Sequence, residues 1–233
     1  MEKSQYGITD KAMSLPVPYY EEPGIVIYHS DCRDILPHLP KVDLVFFDPP
    51  YGLEVAAWDN HFVGLDLLPQ FRTLLAGDGV VCATCSPHIL IDFLSVLKTP
   101  RIVSWGKPNL PMRKYLKDFE WSTEFILFER HGNCYFEKPH GENGRDYWRI
   151  PVENGFLNPD GGVHAARKPL HLLKRIVQSS CPVNGIVLDP FMGSGTSIHA
   201  AHSLGRKAIG IEIEEKYCEI AVRRLQQEVF KYD

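Results

Sequence analysis

The stretch VLDPFMGSGTS, residues 187–197, decides the fold class, because it joins an apolar strand to a helix through a glycine-rich turn. The apolar run ends in Asp189, and Gly193-Ser194-Gly195 opens the helix. Glycines let the backbone come close to a ligand, and the amides at a helix N-terminus favour negative groups. The Lys-Ser/Thr pair of a phosphate-binding P-loop and the GxGxxG spacing are both missing. The stretch predicts a ligand-binding turn of another kind, or else a tight strand-helix junction that binds nothing.

A second carboxylate supports the ligand-binding interpretation. The next predicted strand, 207–213, carries Glu212 close to its end. A carboxylate at the tip of the strand that follows a glycine-rich turn suits a ribose diol, as it does in dinucleotide-binding folds. This half of the chain is therefore predicted to bind a nucleoside.

Strands and helices alternate along most of the chain. Short apolar runs predict the strands, and amphipathic runs, some of them ended by glycine, predict the helices. The predicted strands are 24–31, 42–48, 80–85, 101–105, 124–130, 185–191 and 207–213. The predicted helices are 32–39, 65–79, 88–97, 168–181, 195–205 and 214–229, the second of them stopped by glycine. This alternation predicts an α/β fold with a doubly wound, mostly parallel sheet.

Two segments depart from this regular pattern. Residues 1–23 begin with a mixed polar, proline-containing stretch and are predicted to be a loose arm in front of a single domain, 24–233. Residues 131–163 are rich in Gly, Asn and Pro and have little periodicity. They predict a small loop-rich insertion, and loops of this length are often functional.

Amino-acid composition indicates where the protein is found more clearly than what it does. The 233 residues are 44% hydrophobic, but no window approaches the run of about 18 apolar residues that spans a membrane. The N-terminal residues lack the apolar core of a signal peptide, so a cytoplasmic protein is expected. The net charge of −4 neither predicts nor excludes nucleic-acid binding, because the binding charges are local.

The six cysteines fit reduced thiols in a cytosolic protein. Cys82 and Cys85 form a lone CxxC on a predicted strand, which would turn the two side chains to opposite faces. No second CxxC completes a zinc site, so no metal is expected.

The stretch FFDPPYG, residues 46–52, carries the second constellation. Asp48 follows an apolar run, at the strand end where open α/β sheets bind ligands. Pro49 and Pro50 lack an N–H and restrict both their own φ and the residue before them, which makes a rigid, extended tip. A carboxylate and a backbone carbonyl there can accept both hydrogens of a planar amino group while the Tyr51 ring stacks on its base. Taken alone, the stretch would be equally consistent with an ordinary strand exit and turn.

Together the two constellations resemble the S-adenosylmethionine-dependent amino DNA methyltransferases. The DPPY motif precedes DPFMGSGT, an order similar to the permuted beta group, whose chain effectively begins at the third strand of the sheet. Supporting matches are HSD, WGKPN (105–109), STEFILF (122–128) and HAARKPLHLL (164–173). The resemblance covers roughly residues 24–225. It implies a Rossmann-like, circularly permuted class I methyltransferase fold, S-adenosylmethionine as cofactor and double-stranded DNA as partner.

The resemblance also implies roles for single residues. Asp48, Pro49, Pro50 and Tyr51 would hold the target base. Asp31 would lie near the cofactor's adenine, Glu212 would bind its ribose, and His164 and Lys168 would flank its amino-acid end. The remaining cofactor residues belong to the glycine-turn motif: Asp189, Pro190, Phe191, Gly193, Ser194, Gly195 and Thr196.

The first residue of the catalytic motif bears on the target base. Family members with DPPY act mostly on adenine N6, whereas those acting on cytosine N4 usually have serine first, so the aspartate favours adenine. Cytosine N4, an RNA or protein amide, and a catalytically silent nucleic-acid-binding partner are the alternatives.

Recognition of a DNA sequence needs a segment that reads base edges. The candidate is 131–163, where RDYWR (145–149) alternates charged and aromatic residues. A packed surface excursion is the alternative for the same residues. So small a recognition segment leaves a homodimer or a partner subunit open.

Overall fold

The computed structural model describes residues 16–49, 64–110, 119, 122–138, 144–153 and 167–229. Three residues that the sequence singled out, Pro50, Tyr51 and His164, lie outside these ranges, as do 139–143 and 154–163 of the predicted insertion.

The described residues form strands and helices in alternation. The strands are β1 Tyr20–Glu22, β2 Ile25–His29, β3 Val42–Phe47, β4 Leu75–Cys85, β5 Arg101–Gly106, β6 Thr123–Arg130, β7 Tyr147–Arg149, β8 Ile186–Asp189 and β9 Lys207–Glu212. The α-helices are α1 Cys32–Ile35, α2 Leu68–Leu74, α3 Leu90–Val96, α4 Leu170–Ser180, α5 Thr196–Ser203 and α6 Glu215–Val229. Short 3₁₀ turns, Leu36–His38 and Pro87–Ile89, precede or extend two of the helices.

Within the described ranges the strands make a single sheet in the order β1-β2-β9-β8-β3-β4-β6-β5-β7. The strands from β2 to β4 in this order are parallel, β6 is antiparallel to both of its neighbours, and β1 is antiparallel to β2. The chain moves one way from β3 to β4 and the other way from β8 to β9, so the strand order reverses between β3 and β8. The prediction of a doubly wound, mostly parallel sheet is confirmed.

Helices cover both faces of the sheet, each over its own apolar core. On one face α4, α5 and α6 pack against residues such as Ile27, Leu44 and Phe46. On the other, α1, α2 and α3 pack against residues such as Val45 and Phe47. Because successive strand residues point to opposite faces, the apolar run of β3 fills both cores.

The helix predicted at 65–79 is shorter than expected, and its glycines do not stop it. The helix α2 ends at Leu74, and Leu75 already begins β4 by pairing with Val42. The β3–β4 register shifts between Val42 and Leu44, and Gly77 has a φ of 61°. A glycine tolerates this left-handed conformation, so the strand absorbs the irregularity. The tertiary pairing with β3 therefore overrides the local helical pattern.

Both irregular segments contribute to the sheet. The residues Tyr20–Glu22, predicted as the end of a loose arm, form β1 and pair with β2. In the predicted insertion, Tyr147–Arg149 form β7 and pair with β5. Short edge strands have weak periodicity, which is why the sequence pattern did not reveal them.

The cysteines of the CxxC lie on opposite faces, as expected: Cys82 in the α4–α6 core and Cys85 in the α1–α3 core. Within the described ranges, no group of three or more His, Cys, Asp and Glu side chains is arranged to hold a metal ion. None of the helices described is long and apolar enough to cross a membrane.

Candidate active site

The two motifs meet where the strand order reverses. Strands β3 and β8 are neighbours, with Val45 opposite Leu188, so Asp48 and Asp189 emerge at the same edge of the sheet. The next strand, β9, ends there with Glu212. Open α/β sheets bind ligands outside the carboxyl ends of their strands at such a reversal. Asp48 and Asp189 are far apart in the sequence, and the pairing of β3 with β8 brings them together.

A cavity of about 420 Å³ lies at this edge. Apolar side chains, among them Phe191, Ile213 and Tyr217, form part of its wall, as is usual in cofactor sites. Most of the predicted site residues line it: Asp31, Asp48, Lys168, Asp189, Pro190, Phe191, Gly193, Ser194, Thr196 and Glu212. Gly195 lies just behind this wall at the start of α5, and Pro49 is buried after β3.

The Asp189 carboxylate fixes the start of the glycine-rich turn. One oxygen accepts the backbone N–H of Phe191 at 3.0 Å, and the other accepts the hydroxyl of Ser197 in α5. Burial raises the pKa of Asp189 to about 7, an effect that these two hydrogen bonds reduce and the nearby Asp48 and Glu212 reinforce. A buried acid with so high a pKa favours a cationic ligand nearby, because a positive charge would stabilise its ionised form.

Glu212 joins the end of β9 to the turn after β8. Its oxygens accept the backbone N–H groups of Gly193 and Glu214, each at 2.9 Å. Burial raises the pKa of Glu212, and the backbone hydrogen bonds oppose that shift. Each carboxylate oxygen can accept more than one hydrogen bond, so Glu212 retains capacity for the two hydroxyls of a ribose.

The glycine turn needs its glycines for two different reasons. At Gly195, φ is 74° and an added Cβ would lie 2.6 Å from the Cβ of Ala221, so helix α6 packs directly on the backbone. At Gly193, φ is 52° and an added Cβ would meet no atom within 4 Å. Gly193 therefore leaves open space beside the cavity, which lets a ligand approach the backbone.

Arg224 of α6 holds the turn from outside. Its guanidinium donates to the carbonyl of Ser194 at 2.6 Å and to the hydroxyl of Thr196 at 3.2 Å. Sequence reasoning missed this role, because Arg224 lies beside the apolar positions of an amphipathic helix and resembles a solvated surface residue.

Asp31 lines the opposite side of the cavity and caps α1. Its carboxylate accepts the backbone N–H of Arg33 at 2.9 Å and also the Arg33 guanidinium, whose hydrogen bonds lower the pKa of Asp31. Arg33 itself lines the cavity and was not predicted, since one arginine two residues after an aspartate carries no pattern.

Both Asp48 oxygens are held by protein side chains. Oδ1 accepts the hydroxyl of Thr84 at the end of β4, and Oδ2 lies 2.7 Å from Nζ of Lys168. Lys168 was expected beside the cofactor's amino-acid end. The structure adds a partner that the sequence did not predict, the carboxylate of the catalytic motif.

Lys168 continues into a line of charges. Its Nζ also lies 3.7 Å from Glu124 Oε2, and Glu124 Oε1 accepts a hydrogen bond from Lys107. Burial alone would lower the pKa of Lys168, but Asp48 and Glu124 outweigh it and the pKa is raised. Lys168 is therefore a cation at neutral pH.

The residues present fit a cationic nucleoside cofactor. Glu212 offers acceptors for a ribose, Gly193 leaves room beside the backbone, and the buried carboxyl of Asp189 suits a positive group. The cavity volume falls in the range of about 300–1,000 Å³ that is usual for drug-sized ligands.

Known proteins share this architecture. The family model for N6 and N4 methyltransferases, described as DNA methylase, matches residues 42–223. The chain is 31% identical to the type II methyltransferase M2.MboI of Moraxella bovis, over 90% of this chain and 91% of that protein. The crystal structure of the M1.HpyAVI–SAM complex is 31% identical, with a TM-score of 0.69 over 86% of this chain and 98% of that one.

A more distant likeness extends to the fold alone. The PvuII DNA methyltransferase, described as cytosine-N4-specific, has a TM-score of 0.71 at 17% identity, over 89% of this chain and 88% of that one. The match to the family model covers most of the chain and includes both motifs, which confirms the resemblance seen in the sequence. The chain belongs to the N6/N4 family of DNA methylases.

Proposed function

We propose that this DNA methylase transfers a methyl group from S-adenosylmethionine to the exocyclic N6 amine of adenine, at a specific sequence in double-stranded DNA. The type II methyltransferases among its relatives suggest a place in a restriction–modification system, and action on genomic DNA implies a cytoplasmic enzyme. The observation that carries the proposal is the position of Asp48. It lies at the rim of the nucleoside-sized cavity, next to the strand that carries the glycine-turn motif.

The cofactor side of the cavity has a role for each polar residue. Glu212 would accept the ribose hydroxyls, and Asp189 with the glycine turn would border the cationic methionine part. Asp31, oriented by Arg33, would lie near the cofactor's adenine. The M1.HpyAVI–SAM complex supports the choice of cofactor, since that protein is similar over most of this chain.

The protein's task on the target side is to prepare a poor nucleophile. The lone pair of an exocyclic amine is delocalised into its ring. When the Asp48 carboxylate and the Pro49 carbonyl accept the two N–H hydrogens, the nitrogen moves toward tetrahedral geometry and its lone pair becomes available. The target base must first leave the duplex, because its amine is otherwise paired. Tyr51 would stack on the extruded base and offset about 1–3 kcal/mol of the unstacking cost.

Bond changes at the amine are simple. When bound, S-adenosylmethionine would supply a sulfonium methyl group to the amine nitrogen, and the S–C bonding pair would stay on sulfur, so that S-adenosylhomocysteine would be the leaving group. The nitrogen then releases one proton to water. The protein supplies orientation and electrostatic stabilisation, and Asp48 remains an acceptor throughout.

Adenine is favoured over cytosine by the first residue of the motif, an aspartate. Cytosine N4 is the second candidate, since the family includes both activities and the distant structural neighbour acts on cytosine. The 131–163 segment is proposed for sequence recognition. Its described part brings Tyr147, Trp148 and Arg149 to β7, whose C-terminal end lies beside that of β5, on the same edge as the cavity.

Genomic DNA from a methylation-deficient bacterium provides the direct test. Incubation with the protein and S-adenosylmethionine, followed by nucleoside mass spectrometry and modification mapping, is expected to yield N6-methyladenine at one sequence. Accumulation of N4-methylcytosine would replace the adenine proposal with its alternative. Methylation of RNA or protein but not of DNA would refute both.

Two variants separate the halves of the site. Asp48→Ala is expected to lower the transfer rate by at least about 100-fold, because an acceptor for the amine is lost, while cofactor affinity stays close to wild type. Glu212→Ala is expected to weaken cofactor binding instead. Calorimetry with S-adenosylmethionine and single-turnover methylation measure the two effects, and wild-type transfer by Asp48→Ala would contradict the assigned mechanism.

A further inference from the structure

Four charged side chains, Asp48, Lys168, Glu124 and Lys107, form a line at the edge of the sheet that carries the cavity. They come from elements that are distant in sequence. Asp48 follows β3, Lys168 precedes α4, Glu124 lies in β6 and Lys107 follows β5. Nζ of Lys168 lies 2.7 Å from Asp48 and 3.7 Å from Glu124, and Lys107 donates to the other oxygen of Glu124. Negative and positive groups thus alternate along the line.

The charged side chains of this line are largely buried, so water screens their interactions only weakly. The side chains of Lys168, Glu124 and Lys107 are 10%, 16% and 14% exposed. A partly buried ammonium group with two carboxylates is held strongly, whereas removal of one partner leaves an uncompensated charge. The line is therefore a fixed part of the site.

The position of Lys168 relative to Asp48 restricts how the carboxylate can point. Lys168 holds Oδ2 and Thr84 holds Oδ1, so the carboxylate has a partner on each side. A carboxylate offers about four lone-pair directions, so contacts with two side chains do not by themselves exhaust its capacity as an acceptor. The two contacts fix the plane of the acceptor that meets the target amine.

Lys168 also offsets a concentration of negative charge. Asp48, Asp189 and Glu212 all line one cavity, and the negative charges of Asp48 and Glu212 add to the rise in the pKa of Asp189. Arg33, Arg167 and Lys168 bring positive charge to the same cavity wall, and the ammonium group of Lys168 contacts Asp48 directly, at 2.7 Å.

We propose that Lys168 is a positioning residue for the catalytic carboxylate: it orients Asp48 toward the target amine, with Glu124 and Lys107 holding Lys168 in place. The inference rests on the proposed role of Asp48 in gripping the amine. It assigns Lys168 to the target side of the cavity, which differs from a role at the cofactor's amino-acid end.

Methylation kinetics with Lys168→Met and Lys168→Arg test the assignment. Methionine keeps most of the length but removes the charge, so kcat is expected to fall at least about 30-fold while the Kd for S-adenosylmethionine changes less than about 3-fold. Arginine keeps the charge and is expected to recover part of kcat. Lys174→Met, in α4 and outside the cavity lining, is the matched control and is expected to behave as wild type.

The split between kcat and the Kd for S-adenosylmethionine gives a readout that misfolding would not produce. A normal kcat in Lys168→Met with a normal Kd would overturn the proposal. So would a Kd for S-adenosylmethionine raised more than about 10-fold with near-normal kcat at saturation, because that result places Lys168 on the cofactor.

Failure of the proposed catalytic role and failure of this inference give different results. Asp48→Ala with undiminished transfer refutes the proposed role of Asp48, whatever Lys168→Met does. Loss of transfer in Asp48→Ala together with normal kcat in Lys168→Met refutes only the positioning role. If Lys168→Met is too unstable to assay, Thr84→Val tests the same orientation of Asp48 from its other oxygen, and a wild-type kcat there would overturn the inference.

Discussion

The carboxyl group of Asp189 ends β8 in the cavity wall and is only 2% exposed. Burial raises its pKa from an ordinary 3.8 to about 7. The folded protein therefore binds this proton more tightly than the unfolded chain does. The resulting stabilisation is fully present below pH 3.8 and is lost as the pH rises through about 7.

Asp189→Asn removes this titration and is expected to change how stability depends on pH. Between about pH 5.5 and about pH 8, the cofactor-free wild type should lose about 2 kcal/mol more of its free energy of unfolding than the variant. Urea unfolding at both pH values measures the difference. Parallel pH dependence in the two proteins would show that Asp189 titrates normally in the fold.

Lys168 and Asp48 illustrate what a residue's sequence context leaves open. The family resemblance at HAARKPLHLL implied a role for Lys168 beside the cofactor, but its partner Asp48 lies 120 residues away in the chain. Only the packing of the segment before α4 against the ends of β3 and β6 brings the two together. The role of a charged side chain is set by its nearest opposite charge, which a local pattern does not contain.

At the scale of elements, the glycine turn and α6 form one unit. The helix contacts the turn twice, through Ala221 against Gly195 and through Arg224 against Ser194. The apolar periodicity of α6 predicted that Ala221 faces the core, but it did not predict the contact made by Arg224. The glycine turn is thus shaped partly by a helix that follows it in the chain.

Gly195→Ala is expected to weaken S-adenosylmethionine binding at least about 10-fold and to destabilise the protein, because it adds both backbone strain and a clash. The double variant Gly195→Ala/Ala221→Gly removes the 2.6 Å contact and leaves the Cα of residue 221 at 3.3 Å, so it should recover part of both losses. Gly77→Ala is the control for strain alone, since φ there is 61° and an added Cβ meets no atom within 4 Å.

Calorimetric Kd values and urea midpoints for the wild type and the three variants separate the effect of backbone strain from that of the clash with α6. If the double variant is no better than Gly195→Ala, close packing of α6 on the turn is not what requires glycine.

At the scale of the whole molecule, a buried carboxylate ties elements together at the edge of the sheet opposite the cavity. The side chain of Glu129 in β6 is 1% exposed. It accepts hydrogen bonds from Arg72 of α2 at 2.7 and 2.9 Å, from the Lys98 backbone at 2.7 Å and, at 2.8 Å, pairs with His131. Burial alone would raise its pKa, but these partners outweigh burial and the pKa of Glu129 is lowered.

Glu129→Gln is expected to lower the free energy of unfolding by about 3 kcal/mol at neutral pH, because Arg72 loses its charged partner. A depressed carboxyl pKa stabilises the fold above the ordinary value of 4.5, and this contribution is lost as the pH falls through the folded pKa. The difference in the free energy of unfolding between wild type and Glu129→Gln should therefore become smaller at acidic pH.

Urea unfolding from neutral to acidic pH checks this expectation. Transfer rates at neutral pH should stay near wild type, since Glu129 is far along β6 from the cavity. A gap that stays constant down to low pH would contradict the assignment.

Local patterns determined the fold class, the permuted order of the motifs and the strand tips that carry Asp48, Asp189 and Glu212. Apolar runs, glycine turns and prolines act over a few residues, so a single sequence reveals them. They failed at α2, where pairing of Leu75 with Val42 replaced a predicted helix, and at β1 and β7, whose short edge strands are stabilised by their neighbours.

Only the tertiary structure decided which charges meet. The neighbours of Asp48 come from β4 and from the segment before α4. Glu124 reaches Lys168 because β6 is antiparallel to β4, which places the first residues of β6 at the edge of the sheet that carries the cavity. Electrostatic partners are chosen by distance in space, while sequence patterns report distance along the chain. The sequence therefore determined which groups stand at the strand ends, and the folded arrangement of strands determined which of them act on one another.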